Sequence, residues 1–572
     1  MPDQTAEDAT VHLLDIAARY WDARLAFSPI FATYLGDRRF DDRLDDHSGA
    51  SIDAFKARLD GFALETGAID PASLEGEDRI TRSALIAQLR SDRAHLDANL
   101  EAWSVDPLDG PQVMVLNLEA LQPIATVEQA GQMVARWNAI GPWFDGFGQR
   151  LLTSAAAGRV GVRSTVEKAI DTLTGTLAHA DDDLSLLAPL AVEHPDWDPA
   201  DVTAFHDALR TAVRDVVRPA MERYLAVLRD DILPIARSGD VPGLSHVEGG
   251  REAYDRLIEA HTSLSLSADE IHAIGLEEVA RIDAETAALG ERVLGTADLA
   301  DIRRCLRSDP AMHFATRNEV REMAETSLAR ARAAIPDWFG ILPKADCVVF
   351  VMGEHEEQHS TIAYYRQPAM DGSRPGQYAI NTWAPTTRPR YEAQALAFHE
   401  AIPGHHLQLA ISQELTDLPA FRRNDGPTAY VEGWGLYTER LSDEMGLYSG
   451  DLDRIGVLSF DAWRACRLVV DTGMHALGWT RQAAIDYMLE HTVLAPNNIV
   501  NEVDRYIATP GQALAYKLGQ REILRSRGEA QATLGSDFDI KGFHDAVLGH
   551  GPVGLETLGE IVRDWAAGVA AV

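Results

Sequence analysis

The sequence feature that most constrains this chain is the segment 398–408, which reads F-H-E-A-I-P-G-H-H-L-Q. It holds three histidines and one glutamate within eight residues, with the Pro403-Gly404 pair between His399 and His405. On an unbroken helix these two histidines would lie roughly 9 Å apart along the axis and point in different directions. Proline removes a backbone N–H group and clashes with the preceding turn, and glycine tolerates unusual dihedral angles. We therefore expect a helix broken or bulged at Pro403-Gly404, and such a break could return His405 to the side of His399.

The residue types in this segment are those of a zinc hydrolase. Neutral imidazoles bind the metal, and the glutamate after the first histidine acts as general base toward a metal-activated water. That glutamate is Glu400, and His399 is followed by two candidate ligands, His405 and His406. The competing interpretation is a helix end that carries surface histidines.

A second motif lies downstream, in the segment 429–440, which reads A-Y-V-E-G-W-G-L-Y-T-E-R. Glu432 and Glu439 are seven residues apart, hence on one helical face, in an apolar and aromatic environment. Buried carboxylates are costly unless they are paired or bound to a metal. The motif therefore favours a metal site, with Glu439 orienting a ligand histidine from the outer shell.

Together these motifs resemble the domain of unknown function 885 (DUF885) family, bacterial proteins similar to zinc metallopeptidases of the gluzincin type. The resemblance extends upstream to Tyr364-Tyr365 and Asn381-Thr382, and downstream to segments 471–479 and 506–517. It covers the C-terminal half closely and the N-terminal half loosely. The arrangement is also similar to thimet-type oligopeptidases, except that two extra residues separate Glu400 from Gly404.

The resemblance implies a set of metal ligands. Gly404-His405 corresponds to the G-H pair that ends the first oligopeptidase motif, and Val431-Glu432 corresponds to the segment with the third ligand. One zinc ion per chain would then be bound by His399, His405 and Glu432. We expect His406 to face the cleft, as a substrate contact or a hydrogen-bond partner.

Further candidate site residues follow the second motif. Arg467, Asp471 and His475 recur every four residues on an apolar helix, either as a salt-bridge ladder or as one wall of an active site. We assign His475 to catalysis, Arg467 to substrate binding and Asp471 to the outer shell of the site.

Two tyrosines are candidates for stabilising the oxyanion of a tetrahedral intermediate, Tyr506 and Tyr516, because the resemblance places a tyrosine in this region. Arg505 is the candidate for binding a substrate carboxylate. A core position is the alternative for either tyrosine. Farther upstream, Tyr254 and His261 are weaker candidates for the cleft, and packing is the favoured interpretation for both.

The sequence predicts a mainly α-helical protein with a small antiparallel sheet beside the metal-binding helix. Amphipathic helical periodicity dominates residues 9–233, and residues 345–383 are the one convincing β region. The strand Tyr378–Thr382 precedes the metal helix, where gluzincins bind extended substrate, and it makes Asn381 a candidate substrate contact. A sheet that only braces the helix is the alternative.

Length, charge and cysteine content narrow the function classes. A Gly/Pro-rich break near residue 240 divides the 572 residues into a helical region, 1–240, and a catalytic region, 241–572, packed as two lobes around a cleft. The net charge of −36 argues against nucleic-acid binding. Three scattered cysteines form no disulfide framework, and no signal peptide or membrane span is evident, so we expect a cytoplasmic protein.

The sequence thus predicts a zinc-dependent hydrolase, and above all a peptidase acting on a peptide or small amide. Two alternatives stay open. One is a non-catalytic metal-binding protein on a degenerate peptidase fold, in which His406 or Glu439 would complete a closed four-ligand sphere. The other is a zinc hydrolase of a different amide or ester.

Overall fold

The computed structural model describes residues 6–571, apart from 354–356, 358–360, 370, 371 and 373. It is 73% helical and 3% strand, which confirms the predicted mainly α-helical class. Among the described residues, none of the helices combines the length and the apolar composition that a membrane span needs.

The helices of the first half are α1 Ala6–Phe27, α2 Pro29–Tyr34, α3 Gly49–Ala68, α4 Gly76–Ala98, α5 Pro111–Leu121, α6 Val127–Ala156, α7 Arg163–Ala178, α8 Pro199–Ala212, α9 Arg218–Ala226, α10 Gly250–Thr262 and α11 Ala268–Leu294. Those of the second half are α12 Leu299–Ser308, α13 Arg317–Ala334, α14 Ala393–Glu400, α15 His405–Glu414, α16 Ala420–Asn424, α17 Thr428–Glu444, α18 Asp451–His475, α19 Arg481–His491, α20 Pro496–Ala508, α21 Ala515–Leu534, α22 Ile540–Leu548 and α23 Leu555–Ala570.

Local sequence explains where several helices begin. The Ser267 hydroxyl accepts a hydrogen bond from the Glu270 backbone N–H, and the Glu270 carboxylate accepts one from the Ser267 backbone N–H. This reciprocal capping box satisfies two N–H groups that the first turn of α11 would otherwise leave without partners. The same arrangement of Thr126 and Gln129 starts α6.

Helix α18 is the central element of the C-terminal half. Its residues from 464 to 475 are buried without exception, because α11 packs along it and α14, α19 and α21 also contact it. Helix α17 packs along α21 at a very close crossing. A Cβ atom on Gly433 would lie 2.5 Å from the Gly519 backbone, and one on Gly519 would lie 1.9 Å from the Ala429 carbonyl oxygen. Only glycine permits this approach, which fixes the position of the residues on either side of Gly433.

The sheet is mixed rather than purely antiparallel. Its strands are β1 Cys347–Val351, β2 Ala363–Arg366 and β3 Gly376–Ile380, in the spatial order β1-β3-β2. β3 pairs antiparallel with β2 and parallel with β1, which corrects the expected antiparallel sheet. β3 is the most buried strand, and it lies at the centre of the sheet although it comes last of the three along the chain.

The largest hydrophobic core joins distant parts of the chain. It contains residues of α1, α3 and α4 together with residues of α13 to α17 and α21 to α23. A second core lies within residues 30–232. The first core therefore draws on both sides of the boundary predicted near residue 240.

Candidate metal centre

The predicted helix break is confirmed. Helix α14 ends at Glu400 and α15 begins at His405. Ala401 leaves the helical region with φ −104° and ψ −109°, and Gly404 has φ −76° and ψ −127°. A Cβ atom on Gly404 would lie 1.8 Å from the His399 carbonyl oxygen, so the chain turns back here only because this residue has no side chain.

The break is held from outside by α17. The buried Trp434 indole N–H donates to the Pro403 carbonyl oxygen over 3.0 Å, with the Gly404 carbonyl oxygen at 3.3 Å. The Thr438 hydroxyl donates to the Gly435 carbonyl oxygen over 2.7 Å and lies 3.2 Å from the Phe398 carbonyl oxygen. A broken helix leaves backbone carbonyl groups without intrahelical partners, and the Trp434 indole supplies a replacement. Trp434 thereby joins α17 to the segment between the two histidines.

The break and α17 bring together His399, His405 and Glu432. One potential ligand atom from each lies within 4.8 Å of the other two. The Nε2 atoms of His399 and His405 are 3.7 Å and 3.6 Å from Oε2 of Glu432. The two imidazole rings are nearly perpendicular, with centroids 4.8 Å apart. These are the three residues predicted from the sequence.

The donor set fits zinc. Two imidazole nitrogens and one carboxylate oxygen are the ligands of a catalytic zinc site, and ligand atoms about 2.1 Å from a tetrahedral ion are roughly 3.4 Å from each other. The separations of 3.6 and 3.7 Å between the imidazole nitrogens and the carboxylate oxygen are close to that value. Nδ1 of His405 is buried and has no hydrogen-bond partner among the described residues.

Glu439 contacts His399 on the side of the ring that faces away from the cluster, as predicted for an outer-shell residue. Its Oε1 atom is 2.8 Å from Nδ1 of His399, so the carboxylate accepts the Nδ1–H and leaves Nε2 as the ring nitrogen that faces the cluster. The His399 ring packs against Gly435, where a Cβ atom would lie 2.7 Å away. The Arg464 guanidinium lies 3.8 Å from Oε1 of the same carboxylate.

Close contact between the two histidines and the glutamates sets the pKa values in the cluster. Burial opposes the charge of Glu432, but contact with His399 and His405 outweighs it and holds the pKa of this carboxyl well below its usual range. Burial alone would lower the pKa of His399, yet Glu432 and Glu439 raise it to about 9. For Glu400, burial raises the pKa, the nearby Glu432 adds to the rise, and the two histidines oppose it.

His406 fastens α15 to the sheet. Its Nδ1 atom is 2.8 Å from the Tyr365 hydroxyl on β2, and Gly376 on β3 leaves the space that its ring needs. Burial lowers the pKa of His406 to about 4. Of the two roles expected for this residue, the hydrogen-bond partner is the one observed.

Tyr516 and Arg467 lie on the side of the cluster formed by α18 and α21. Burial raises the pKa of Tyr516, and the charge of Glu432 raises it further, which places the phenol within electrostatic reach of the ligand carboxylate. The Arg467 guanidinium stacks 4.4 Å from the centroid of the Tyr516 ring. One of its nitrogens, Nη1, is buried without a hydrogen-bond partner among the described residues.

Tyr506 and Arg505 are engaged elsewhere. The Tyr506 hydroxyl donates to Glu502 over 2.6 Å and accepts from Arg467 over 2.9 Å, so it has no capacity left for an oxyanion. Arg505 donates to both carboxylate oxygens of Glu502 and to Gln512. The prediction that Arg505 binds a substrate carboxylate is corrected, because all three of its donor nitrogens serve the protein.

The C-terminal part of the polar stripe has a structural role. Both ring nitrogens of His475 bond to backbone, Nδ1 accepting from Leu244 N–H and Nε2 donating to the Tyr506 carbonyl oxygen. Asp471 accepts from the Tyr254 hydroxyl over 2.5 Å and from the Gly511 N–H. These partners leave neither residue in contact with the histidine-glutamate cluster, so the catalytic role of His475 and the outer-shell role of Asp471 are corrected.

The expected substrate strand is also corrected. β3 is the inner strand, and both of its edges are already hydrogen-bonded to β1 and β2. Asn381, just after β3, donates its amide to the Glu357 and Thr361 carbonyl oxygens and accepts from Trp383 N–H. It closes the end of the sheet.

The weaker candidate His261 pairs with His95 through their Nε2 atoms at 3.4 Å.

Arg464 is the site residue that sequence reasoning missed. It is nearly fully buried beside Glu439. Burial raises the pKa of Glu400 and of Glu392, and the charge of Arg464 partly opposes both rises. Its Nε and Nη1 atoms have no hydrogen-bond partner in the described part of the chain. The available signal was its position three residues before Arg467, which extends the polar stripe toward the N-terminus of α18.

Comparison with known proteins gives a family and two structural relatives. A family model described as "Bacterial protein of unknown function (DUF885)" matches residues 29–562. A crystal structure from Colwellia psychrerythraea, described as a "putative lipoprotein", is 26% identical with a TM-score of 0.89, over 99% of this chain and 100% of that one. A "putative lipoprotein of unknown function" from Shewanella oneidensis shares the fold, with 20% identity and a TM-score of 0.74 over 96% of this chain and 99% of that one. No curated protein matches the sequence.

Proposed function

This chain belongs to the DUF885 family, and on that premise we propose that it is a zinc-dependent hydrolase that cleaves peptide bonds. The observation that carries the proposal is the convergence of His399, His405 and Glu432 within 4.8 Å, with Glu400 next to the first ligand. The order of these residues along the chain is that of the gluzincin peptidases, which the proposal takes as its mechanistic analogy.

The ligand count favours catalysis over a structural metal. A structural zinc has four protein ligands, whereas a catalytic zinc keeps one position open. The two residues that would close the sphere are engaged: His406 bonds to Tyr365, and Glu439 bonds to the far side of His399. Three ligands from the described residues would leave one position for water or substrate.

Glu400 is the proposed general base. Zinc held by His399, His405 and Glu432 would supply Lewis acidity toward a carbonyl group and a water molecule. Burial raises the pKa of Glu400, which makes this carboxylate a better proton acceptor than an exposed glutamate. Glu400 takes the proton of the attacking water and then delivers it to the leaving amine.

Tyr516 is the proposed donor to the oxyanion. Its phenol is near Glu432, and the Arg467 guanidinium stacked on its ring fixes the ring's orientation. Tyr506, the other tyrosine candidate, holds Arg467 in that position through a 2.9 Å hydrogen bond. Arg467 therefore acts by positioning Tyr516.

The proposed substrate is a peptide or small amide. The proposed location is the cytoplasm; the lipoprotein descriptions belong to the two structural relatives. The net charge of −36 disfavours nucleic acid as a partner.

The proposal is tested by metal analysis and peptide hydrolysis on the purified protein. We expect close to one zinc per chain, cleavage within a peptide library, and a Glu400→Gln variant that keeps its zinc but loses activity by several orders of magnitude. Glu490→Gln, the same change at an exposed position of α19, should leave both unchanged. A fully active Glu400→Gln protein, or a wild type that holds zinc yet hydrolyses no peptide, would refute the peptidase mechanism.

A further inference from the structure

A pocket opens beside the start of α14. It lies between α13, β3 and α14, and encloses about 490 Å³ including its open mouth. Its wall is mainly apolar, formed by Ala324, Tyr378, Ile380, Ala393 and Leu396 among others. A concave, largely apolar wall with a few polar groups is typical of a ligand-binding site.

Three polar side chains in the wall are hydrogen-bonded to the protein. Asn381 donates to two backbone carbonyl oxygens, and Nε of Arg388 donates to a third. The Glu392 carboxylate accepts a 2.6 Å hydrogen bond from the Ser459 hydroxyl. What the pocket offers to a ligand is therefore mainly apolar contact, and an apolar group gains most from entering it.

The pocket adjoins the proposed general base. Leu396 and Glu400 are four residues apart on α14, hence on one face and roughly 6 Å apart along the axis. Tyr378 links the two regions, because it lines the pocket and its pKa, raised first by burial, is raised further by the charge of Glu400. A peptide held at the metal cluster would thus have a neighbouring side chain within reach of the pocket.

We infer that this pocket receives a branched aliphatic or aromatic side chain of the peptide substrate, from a residue next to the cleaved bond. The inference rests on the proposed peptidase function and names its substrate class: peptides with a bulky apolar residue beside the scissile bond. Ala324, Ile380 and Leu396 determine the size of the accepted side chain.

The test uses zinc-loaded protein and fluorogenic peptides that carry glycine, alanine, leucine or phenylalanine at the positions flanking the scissile bond. At one flanking position, kcat/KM for leucine or phenylalanine should exceed that for glycine at least about tenfold. Ala324→Leu fills the pocket from α13 and should reduce this ratio about tenfold or more. Ala329→Leu, the same change at an exposed position of α13, should leave the ratio unchanged.

A second variant protects the test against misfolding of the first. Leu396→Ala enlarges the pocket and should shift the preference from leucine toward phenylalanine. Cleavage without a preference beyond twofold at either flanking position, or a preference that neither Ala324→Leu nor Leu396→Ala alters, would overturn the inference and leave the peptidase function standing.

If no peptide is cleaved, a binding experiment still tests the apolar pocket independently of the proposed peptidase function. Saturation-transfer NMR on the zinc-loaded protein would compare N-acetyl-leucine amide with N-acetyl-glycine amide. Selective binding of the leucine compound that is lost in Ala324→Leu would support an apolar side-chain pocket in a protein that is not a peptidase. Equal binding of both compounds, or selective binding that persists in Ala324→Leu, would overturn the inference.

Discussion

Replacing Glu439 with glutamine tests whether the outer shell tunes the metal centre. The Glu439 carboxylate is fully buried, and its Oε1 atom is 2.8 Å from Nδ1 of His399. Glutamine keeps the shape and can present its amide oxygen to the same N–H group, so the variant removes the charge and retains a hydrogen bond. A hydrogen bond to a charged group contributes about 1.5–3 kcal/mol and a neutral one about 0.5–1.5 kcal/mol.

The midpoints of these ranges differ by about 1.25 kcal/mol, so the expected loss in zinc affinity is roughly eightfold. Glu439→Leu removes the acceptor altogether and should weaken zinc binding by about 10–100-fold. The assay is competition for zinc with a chelator of known affinity at constant pH. Glu444→Gln, at an exposed position of the same helix, is the matched control and should bind zinc as the wild type does.

Two results would contradict this reasoning. Wild-type affinity in Glu439→Gln would mean that the charge of the outer carboxylate does not act on the metal ligand. Complete loss of zinc in Glu439→Gln, equal to the loss in His399→Ala, would mean that Glu439 is itself a ligand. Unfolding of the metal-free variants should be measured in parallel, because Arg464 lies 3.8 Å from this carboxylate and is destabilised by the loss of its charge.

Three further predictions concern the ligands, pH dependence and the buried charges. His405→Ala should lose zinc, whereas His406→Ala should keep it with altered kinetics, as measured by metal analysis and rates; the opposite pattern would reverse the assignment. Burial raises the pKa of Glu392 from 4.5 to about 7. Between these two pH values the folded protein keeps a proton on this carboxyl that the unfolded chain releases. The bound proton stabilises the folded state at low pH, and this stabilisation is lost as the pH rises from 4.5 through 7. The difference in unfolding free energy between wild type and Glu392→Gln should therefore change by about 2.5 kcal/mol between pH 5 and pH 8 in urea titrations, with the wild type relatively more stable at pH 5. A constant difference would contradict the shifted pKa. Lys517→Met leaves Asp461 without the buried ammonium that contacts it, and should lower the unfolding free energy by about 3–5 kcal/mol in denaturant titrations; a loss below 1 kcal/mol would show that the remaining cations suffice.

The break between His399 and His405 was predictable because its causes are local. Proline and glycine act through their own backbone geometry, so the sequence alone indicates where the helix must stop. The choice of His405 followed from the same geometry and from the family resemblance. The pairing of Glu432 with Glu439 was visible for a similar reason, since the helical period places both carboxylates on one face.

The remaining site residues depend on contacts between distant segments. Tyr506 and Tyr516 were equivalent candidates in the sequence, and what separates them is that Glu502 and Arg467 saturate the hydroxyl of Tyr506. His475 was placed in the site by its position on a polar stripe, yet its ring nitrogens bond to backbone from two other segments. No local pattern reports which hydrogen-bonding groups are already used.

The sheet shows the same limit at the level of topology. The strand residues were recognised from their composition, but the order β1-β3-β2 depends on which strand inserts between the others. Because β3 is the inner strand, it has no free edge to which a peptide could bind, and the substrate-strand hypothesis is therefore wrong.

The interruption between α14 and α15 also divides the metal centre mechanically. His399 is the penultimate residue of a helix seated on α13, α17 and α18, whereas His405 begins a helix seated on α16, α17 and α22. Two imidazoles on one continuous helix would move as a rigid pair. Here they lie on two helices that share α17 but otherwise pack on different neighbours, so the distance between their ring nitrogens depends on both sets of contacts. Substitutions in the core beneath either helix should therefore alter metal affinity without changing any ligand. The affinity of the metal centre would then report on packing elsewhere in the fold.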